Sequence, residues 1–448
     1  MTTLQEILSA REERQLLRQQ ASAGGKLAVS LNLNIPGHPK TSPIYKRFFN
    51  SSVELLKTWL LANRIQIHQE NELLINHAAG DFYLVNLKSE DILPAALKQI
   101  TEEFEQNHQL GRFIDVDISD KNGVPVSSGK HKVCFFCNTH PAVDCIHHRR
   151  HTISELRNYQ QKEMLLYLKE ERINHLSRKI CSFAIRSIFY ELSLSPKPGL
   201  VTAVDSGIHT DMDFRTFIDS TAVISTYFDE LFRKGTECEA ADLWKALSTV
   251  RKTGLLMEKE MFIHTKGVNT QKGIIFLMGI SLFSAGYVLK EHDTFNQDLF
   301  ISTVKQICKG LVENESGGQA NSKTHGERCF QLFQTGGIRS EAEQGFPTVF
   351  GHTLPVLIAE NNTGADALYK TLIAAMSVLD DTNILFRSDR QTLKALQDLC
   401  KPLPANFSMA AYLKISDFCR QNRISPGGSA DILSITIFIF LLKTELKQ

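Results

Sequence analysis

In the stretch VSLNLNI, apolar Val29, Leu31, Leu33 and Ile35 alternate with Ser30, Asn32 and Asn34. That period of two predicts a half-buried strand, ended by the turn PGHPK. IQIHQENELLINHAAGDFYLVNL predicts short strands joined by turns. ILPAALKQITEEFEQN has helical periodicity, and GRFIDVDI returns to strand. From Ile153 onward the pattern changes. SELRNYQQKEMLLYLKEERINHLSRKI is charged and helical, and reads as the connection between domains. Beyond it strand alternation nearly disappears, and long apolar helices are separated by loops rich in Gly, His, Asp and Asn. The pattern predicts a multidomain chain, with an α+β domain over 1–177 and an all-α domain over 178–448.

At 448 residues the chain exceeds what one core usually organises. It is 42% hydrophobic and 22% charged, ordinary for a soluble globular protein. A net charge of +1 predicts no nucleic-acid footprint and no acidic tail. The nine cysteines are scattered and odd in number. The opening MTTLQEILSAREERQLLRQQ reads as an amphipathic charged helix instead of a signal peptide, so reduced thiols in a cytoplasm are expected. Gly273 to Leu289 carries no charge, at the lower edge of the about 17–25 residues that span a bilayer. Gly, Ser and Tyr dilute it, and Ile432 to Leu442 is shorter still. Both are expected to be buried helices of a large all-helical core, with no membrane involved.

Three features of the first domain carry chemistry. Asp115 and Asp117 lie two apart on a predicted strand, so both carboxylates share a face, while Ile114, Val116 and Ile118 supply the buried one. Such a pair holds Mg²⁺ against substrate phosphates; a solvated strand face is the plainer reading. Pro36, Gly37 and Pro39 form a tight loop followed by Lys40, whose amides and ammonium suit a phosphate as well as a plain turn does. Cys134, Cys137, Cys145 and His151 are the ligand types of a tetrahedral structural Zn²⁺ site, in a spacing unlike the common fingers. Partly buried thiols beside a basic patch are the alternative.

NIPGHPKTS, GRFIDVD and CFFCNTHPAVDCIHHRRHTISEL together resemble the phosphoribosyl-dephospho-coenzyme A transferase of citrate lyase, also called citrate lyase holo-acyl-carrier-protein synthase. The resemblance implies a nucleotidyltransferase-type α+β domain. In that reaction a serine of the apo acyl-carrier (γ) subunit of citrate lyase attacks the phosphate next to the ribose of a triphosphoribosyl-dephospho-coenzyme A, and diphosphate leaves. It implies Mg²⁺ on Asp115 and Asp117, with Arg112 meeting a phosphate or steadying the aspartates.

The second domain gathers polar residues at helix ends. SPKPGLVTAVDSGIHTDMDF carries Lys197, His209, Asp211 and Asp213 behind two stiffening prolines. Glu258 precedes TKGVNTQKG, where Asn269 and Lys272 open an apolar helix, a ready anion site. THGERCFQLFQTGGIRSEAEQGFP brings His325, Glu327, Arg339 and Glu341. DDTNILFRSD brings Asp380, Asp381, Asn383 and Arg387. SPGGSAD offers Gly427 and Gly428 for close backbone approach, Ser429 as a cap, and Asp431 at the start of the last helix. Each loop alone is explained by capping or a helix stop. Five together suit a Mg²⁺-polyphosphate, with carboxylates on metal and cations on phosphate.

These loops resemble triphosphoribosyl-dephospho-coenzyme A synthase over 178–448. Gln271 stands where that family's pattern has His, and Asp205 where Asn is common. The resemblance implies that ATP and 3′-dephospho-coenzyme A give 2′-(5″-triphosphoribosyl)-3′-dephospho-coenzyme A and adenine. The transition state is oxocarbenium-like, so the site needs a metal-triphosphate clamp, a carboxylate near the anomeric carbon and a proton for adenine. The expected roles are Asp211, Asp213, Asp380 and Asp381 on Mg²⁺, and Lys197, Lys272 and Arg387 on phosphates. Glu258 or Glu341 stands near the sugar, and His209 or His325 moves the proton. Two resemblances to consecutive steps predict a fused bifunctional transferase. The same chemistry serving a malonate decarboxylase carrier, a Mg²⁺-dependent phosphohydrolase and a nucleotide sensor without turnover are the alternatives.

Overall fold

The computed structural model describes residues 4–88, 91–127, 129, 132–316 and 335–446. The chain divides into two compact units, Met1–Arg172 and Ile173–Gln448.

The first unit runs α1 (Leu4–Ser22), β1 (Ala28–Leu33), α2 (Pro43–Ala62), β2 (Leu73–His77), β3 (Gly80–Asn86), α3 (Pro94–Asn107), β4 (Ile114–Ser119) and α4 (Ala142–His147). The strands form an antiparallel sheet in the order β2-β3-β1-β4. In register, Val29 pairs with Val85 and Ile118, and Leu31 with Tyr83 and Val116, so one face is apolar throughout. That face buries Phe48, Phe49, Val53 and Leu56 of α2 and Leu97 and Phe104 of α3. Pro43 starts α2 with its φ already helical, and Ser42 caps it by accepting the Tyr45 N–H at 3.2 Å. On the opposite face α1 covers Ala28, Phe82 and Leu84 with Leu17 and Ala21. It leaves Ser30, Asn32, Asp115 and Asp117 beside it.

β4 is an edge strand, and α3 protects its free groups. Glu105 Oε1 accepts the Val116 N–H at 2.7 Å, and Lys98 Nζ donates to the Val116 carbonyl at 3.0 Å. The helix α5 (Ile153–Ser193) contains the boundary between units. Its Met164 and Leu168 belong to the first core and its Ile180 and Phe183 to the second, so the charged connection is itself a packed element.

His108 ends α3 among Phe48, Phe104 and Tyr167, with ring centroids 5.8, 5.9 and 5.1 Å away. Its Nδ1 accepts the Leu110 N–H at 3.0 Å. Burial lowers its pKa from 6.5 to about 4. The unfolded chain therefore takes a proton near pH 6.5 that the native unit refuses until about pH 4. Stability present above the unfolded pKa is lost as pH falls through that window, by up to roughly 3 kcal/mol. We expect the urea midpoint of the first unit, followed by Trp59 fluorescence, to fall between these pH values. His108→Gln, which keeps an acceptor for Leu110, should flatten that fall.

The second unit is helical throughout its described residues. After α5 come α6 (Phe214–Ser225), α7 (Phe228–Glu237), α8 (Ala246–His264) and α9 (Lys272–Leu289). The later helices include Ala365–Met376, Thr382–Arg387 and Gly427–Glu445. α7 and α9 pack backbone to backbone. A Cβ on Gly235 would strike the Phe283 carbonyl, and one on Gly286 the Phe232 carbonyl. Two helices are long and apolar enough to cross a membrane, Lys272–Leu289 and Gly427–Glu445, and 78% of each apolar window is buried. They are the central helices of this core, which explains why they are apolar on every side.

Candidate functional site

In the first unit, the register places Asp115 opposite Asn32 and Asp117 opposite Ser30 on the face that α1 borders. Lys132 Nζ lies 2.9 Å from Asp115 Oδ1 and 3.1 Å from Glu105 Oε2. Arg18 reaches Asp117 Oδ2 at 2.9 Å and donates through Nε to Ser30 Oγ at 2.9 Å. The two aspartates remain 40% and 41% exposed, open to an incoming ligand. Their acidities are driven apart. Burial works against the Asp115 charge, but Lys132 and Asn32 outweigh it and hold its pKa below normal. Burial and the Asp115 charge together raise that of Asp117, against Arg18 and Lys98. Two neighbouring carboxylates that resist joint ionisation suit a divalent cation, which removes the repulsion.

Arg112 donates to the Val133 carbonyl, and burial lowers its pKa against the charges of Glu105, Cys134 and Asp115. Lys40 donates to the Ile35 carbonyl. Its pKa falls to about 8, through burial and the charges of Arg11, Arg157 and Arg14. Arg14 donates to the carbonyls of Ala79 and Gly80 at 3.0 and 2.9 Å. Gly80 packs on Lys40, since a Cβ there would stand 3.0 Å from the Lys40 carbonyl oxygen. Arg157 lies over the Tyr45 ring at 5.9 Å, and its buried Nη1 has no hydrogen-bond partner. Four cations thus act on one locality with an orphaned donor among them, a setting for phosphate oxygens. Cys134, Cys137, Cys145 and His151 also come together, their ligand atoms within 4.8 Å of one another.

In the second unit three of the polar loops, those carrying His209, Lys272 and Asp381, border the fifth, SPGGSAD, which starts helix Gly427–Glu445. Asp381 is buried and caps Thr382–Arg387 by accepting the Asn383 N–H at 3.0 Å. Its other oxygen accepts the Ser429 N–H at 2.9 Å and the Ser429 hydroxyl at 3.1 Å, so one carboxylate ties two helix starts. Burial raises its pKa against those bonds. A Cβ on Gly428 would sit 3.1 Å from Asp381 Oδ1, and one on Gly427 2.8 Å from Asn383 Nδ2. Asp431 stands against the start of α9, where a Cβ on Gly273 would strike its Oδ2. Burial drives the Asp431 pKa well up, and the charges of Glu191 and Asp381 add to this.

Lys197 is 2% exposed at its side chain and bonds Glu191, through both the carboxylate and the carbonyl. His209 Nε2 lies 3.0 Å from Ser425 Oγ and its Nδ1 3.9 Å from Asp211. Burial and the Arg387 charge hold its pKa below normal, against Asp211. The loop that carries His209 is fixed by close approach. Gly199 and Gly207 have φ of +65° and +62°, and a Cβ on Gly199 would strike the Ile424 carbonyl. Glu258 pairs with Lys272 at 2.8 Å, and Asn269 Oδ1 accepts the Lys272 N–H at 3.3 Å. Gln271 is buried and accepts from Ser220 and donates to Thr221 at 2.5 and 3.0 Å.

Of the remaining expected residues, Asp380 adjoins Asp381 in the chain, and Asp213 and Glu341 are engaged with partners of their own. Asp213 is exposed and caps α6 in a reciprocal box with Thr216, a complete structural task. Asp380 is exposed, with Thr335 Oγ1 3.5 Å away. Glu341 is buried and accepts from the Thr348 N–H and hydroxyl at 3.1 and 2.6 Å. His325 and Glu327 lie outside the described residues. Sequence reasoning missed Arg14, Arg18, Glu105, Lys132 and Glu191, and read Asp431 only as a helix start. The one local signal among them was the i, i+4 spacing of Arg14 and Arg18 on α1.

Comparison with known proteins shows which families the two parts of the chain match. Residues 177–448 match the family model described as ATP:dephospho-CoA triphosphoribosyl transferase. Residues 2–167 match that of apo-citrate lyase phosphoribosyl-dephospho-CoA transferase. Protein CitXG of Leuconostoc mesenteroides subsp. cremoris is 30% identical over 99% of this chain and 98% of its own. Protein CitXG of Haemophilus influenzae is 28% identical over 97% and 95%. A probable 2-(5''-triphosphoribosyl)-3'-dephosphocoenzyme-A synthase of Malonomonas rubra is 35% identical over 61% of this chain and 90% of its own. The chain belongs to the CitXG family, in which an apo-citrate lyase phosphoribosyl-dephospho-CoA transferase is joined to an ATP:dephospho-CoA triphosphoribosyl transferase.

Proposed function

We propose that this bifunctional transferase makes and attaches the prosthetic group of citrate lyase, with synthesis in the second unit and attachment in the first. The gathering of Asp381, Asp431, His209, Arg387 and Lys272 around the start of helix Gly427–Glu445 is the observation that carries the synthetic half.

The residues of that half fit Mg²⁺. Asp431 accepts no hydrogen bond among the described residues, and Glu191 and Asp381 crowd it with negative charge that Lys197 only partly offsets. Asp431 would hold the metal, with Asp211 and Asp380 at the rim. Asp381 braces the two helix starts, and Asp213 keeps its capping role. Bound Mg²⁺ neutralises the triphosphate. Lys272 and Arg387 reach phosphate oxygens, and Glu258 holds Lys272 in place. The 2′-hydroxyl of dephospho-coenzyme A attacks the anomeric carbon of the ATP ribose, and adenine leaves. His209, neutral and hydrogen-bonded to Ser425, accepts the hydroxyl proton and returns it toward the leaving base. Gln271 is committed to Ser220 and Thr221, so the chemistry runs without the histidine that the family pattern has there.

In the first unit Asp115 and Asp117 would hold Mg²⁺ on an antiparallel sheet of nucleotidyltransferase type. Lys40, Arg11, Arg14 and Arg157 bind the diphosphate that leaves. The acceptor is a serine hydroxyl of the acyl-carrier subunit. All eight cysteines among the described residues are free, which suits a reducing cytoplasm. Incubating the chain with ATP, Mg²⁺ and dephospho-coenzyme A tests the synthetic half. Adenine is the expected product; inorganic phosphate with no adenine would point to a phosphohydrolase instead.

A further inference from the structure

We infer that Cys134, Cys137, Cys145 and His151 bind one zinc ion, and that this zinc fixes the segment carrying Lys132 to Asp115. The four ligand atoms lie within 4.8 Å of one another, and Cys137 Sγ is 3.6 Å from Cys145 Sγ. Tetrahedral coordination with Zn–S near 2.3 Å sets sulfur atoms about 3.8 Å apart, so the thiols already stand at ligand spacing. All three are free. The His151 ring packs against Phe136 at 4.9 Å, and its buried Nε2 has no hydrogen-bond partner, as a nitrogen kept for a metal would.

The segment also needs such a centre. Between Ile118 and Met164 the only buried apolar side chains among the described residues are Cys134 and Cys145, each 5% exposed. A short stretch with so little core is held by metal in many small folds. The backbone already forms the turns around the ligands. Cys134 N–H donates to the His140 carbonyl at 2.8 Å, and Asn138 N–H to the Cys134 carbonyl at 3.0 Å with φ of +54°. Four protein ligands leave no open position, which marks a structural ion and not a catalytic one.

The link to the active site is direct. Lys132 precedes Cys134 by two residues, and its carbonyl accepts the Ala142 N–H at 2.8 Å. Val133 accepts from Arg112. The zinc thus holds both the base of Lys132, whose ammonium contacts Asp115 and Glu105, and the partner of Arg112. This positional part rests on the transferase reading of the first unit; the zinc itself does not.

The full chain, purified without a metal-binding tag and dialysed, should contain one zinc per chain by elemental analysis. Cobalt in its place should show the intense visible bands of a tetrahedral thiolate site. Cys137→Ser and His151→Ala should lose the metal, while His151→Cys and Cys238→Ser keep it. Carrier loading should fall about 10–100-fold in the two metal-free variants, with adenine release by the second unit unchanged as an internal control. Absence of zinc from the wild-type chain, or its retention after Cys137→Ser with Cys145→Ser, would overturn the site. Metal-free variants that load the carrier at the wild-type rate would overturn the positional role alone.

Discussion

Asp115→Asn or Asp117→Asn is expected to abolish loading of the carrier while adenine release from ATP continues at the wild-type rate. The two carboxylates share one face because β4 places them two residues apart, and they stand across from Asn32 and Ser30. Burial and mutual repulsion already raise the pKa of Asp117. Either asparagine removes half the charge that would hold Mg²⁺ against the phosphate under attack. A metal supplies several kcal/mol of charge stabilisation there, so loading should fall about 10²–10³-fold or more. The folded unit should survive, since the two carboxylates are 40% and 41% exposed and an asparagine carbonyl can still accept from Lys132 or Arg18. Loading is read by mass spectrometry of the carrier with prepared triphosphoribosyl-dephospho-coenzyme A as donor. Near-normal loading in both variants would remove the metal assignment.

Asp431→Asn should give the reverse phenotype. Adenine release should fall about 10²–10³-fold, by the same loss of metal-held charge, while loading from prepared donor is retained. Burial and the charges of Glu191 and Asp381 raise the Asp431 pKa in the absence of metal, so the asparagine relieves repulsion and the unit should unfold no earlier than wild type. Asp213→Asn, by contrast, should leave adenine release intact, because that carboxylate caps α6. Thermal unfolding followed by circular dichroism separates loss of chemistry from loss of fold. An Asp431→Asn protein with normal adenine release would shift the metal to the rim carboxylates Asp211 and Asp380.

Much of the first unit was legible in the sequence because strand period decides which side chains share a face. VSLNLNI and GRFIDVDI fixed two neighbouring strands and the placement of Asp115 with Asp117. Their partners were not legible. Arg18 meets Asp117 across 99 positions of chain, and Lys132 meets Glu105 from an irregular segment. Pairings made by tertiary packing leave no local pattern. In the second unit the polar loops stood out because the helices around them are so apolar. Roles inside the loops were hidden by a shared chemistry. An aspartate at a helix start serves as a cap or a metal ligand with the same spacing, so Asp213 and Asp431 look alike in sequence and differ in burial. Lys197 read as a phosphate contact, yet it is spent on Glu191, which ends the charged face of α5.

Incubation of the chain with ATP, Mg²⁺, dephospho-coenzyme A and the apo acyl-carrier subunit of citrate lyase tests the central claim most directly. The carrier mass is then measured alongside adenine and diphosphate. The account predicts a carrier heavier by one phosphoribosyl-dephospho-coenzyme A group, with adenine and diphosphate released in equal amounts. An unmodified carrier with no adenine, or phosphate as the sole product from ATP, would contradict it.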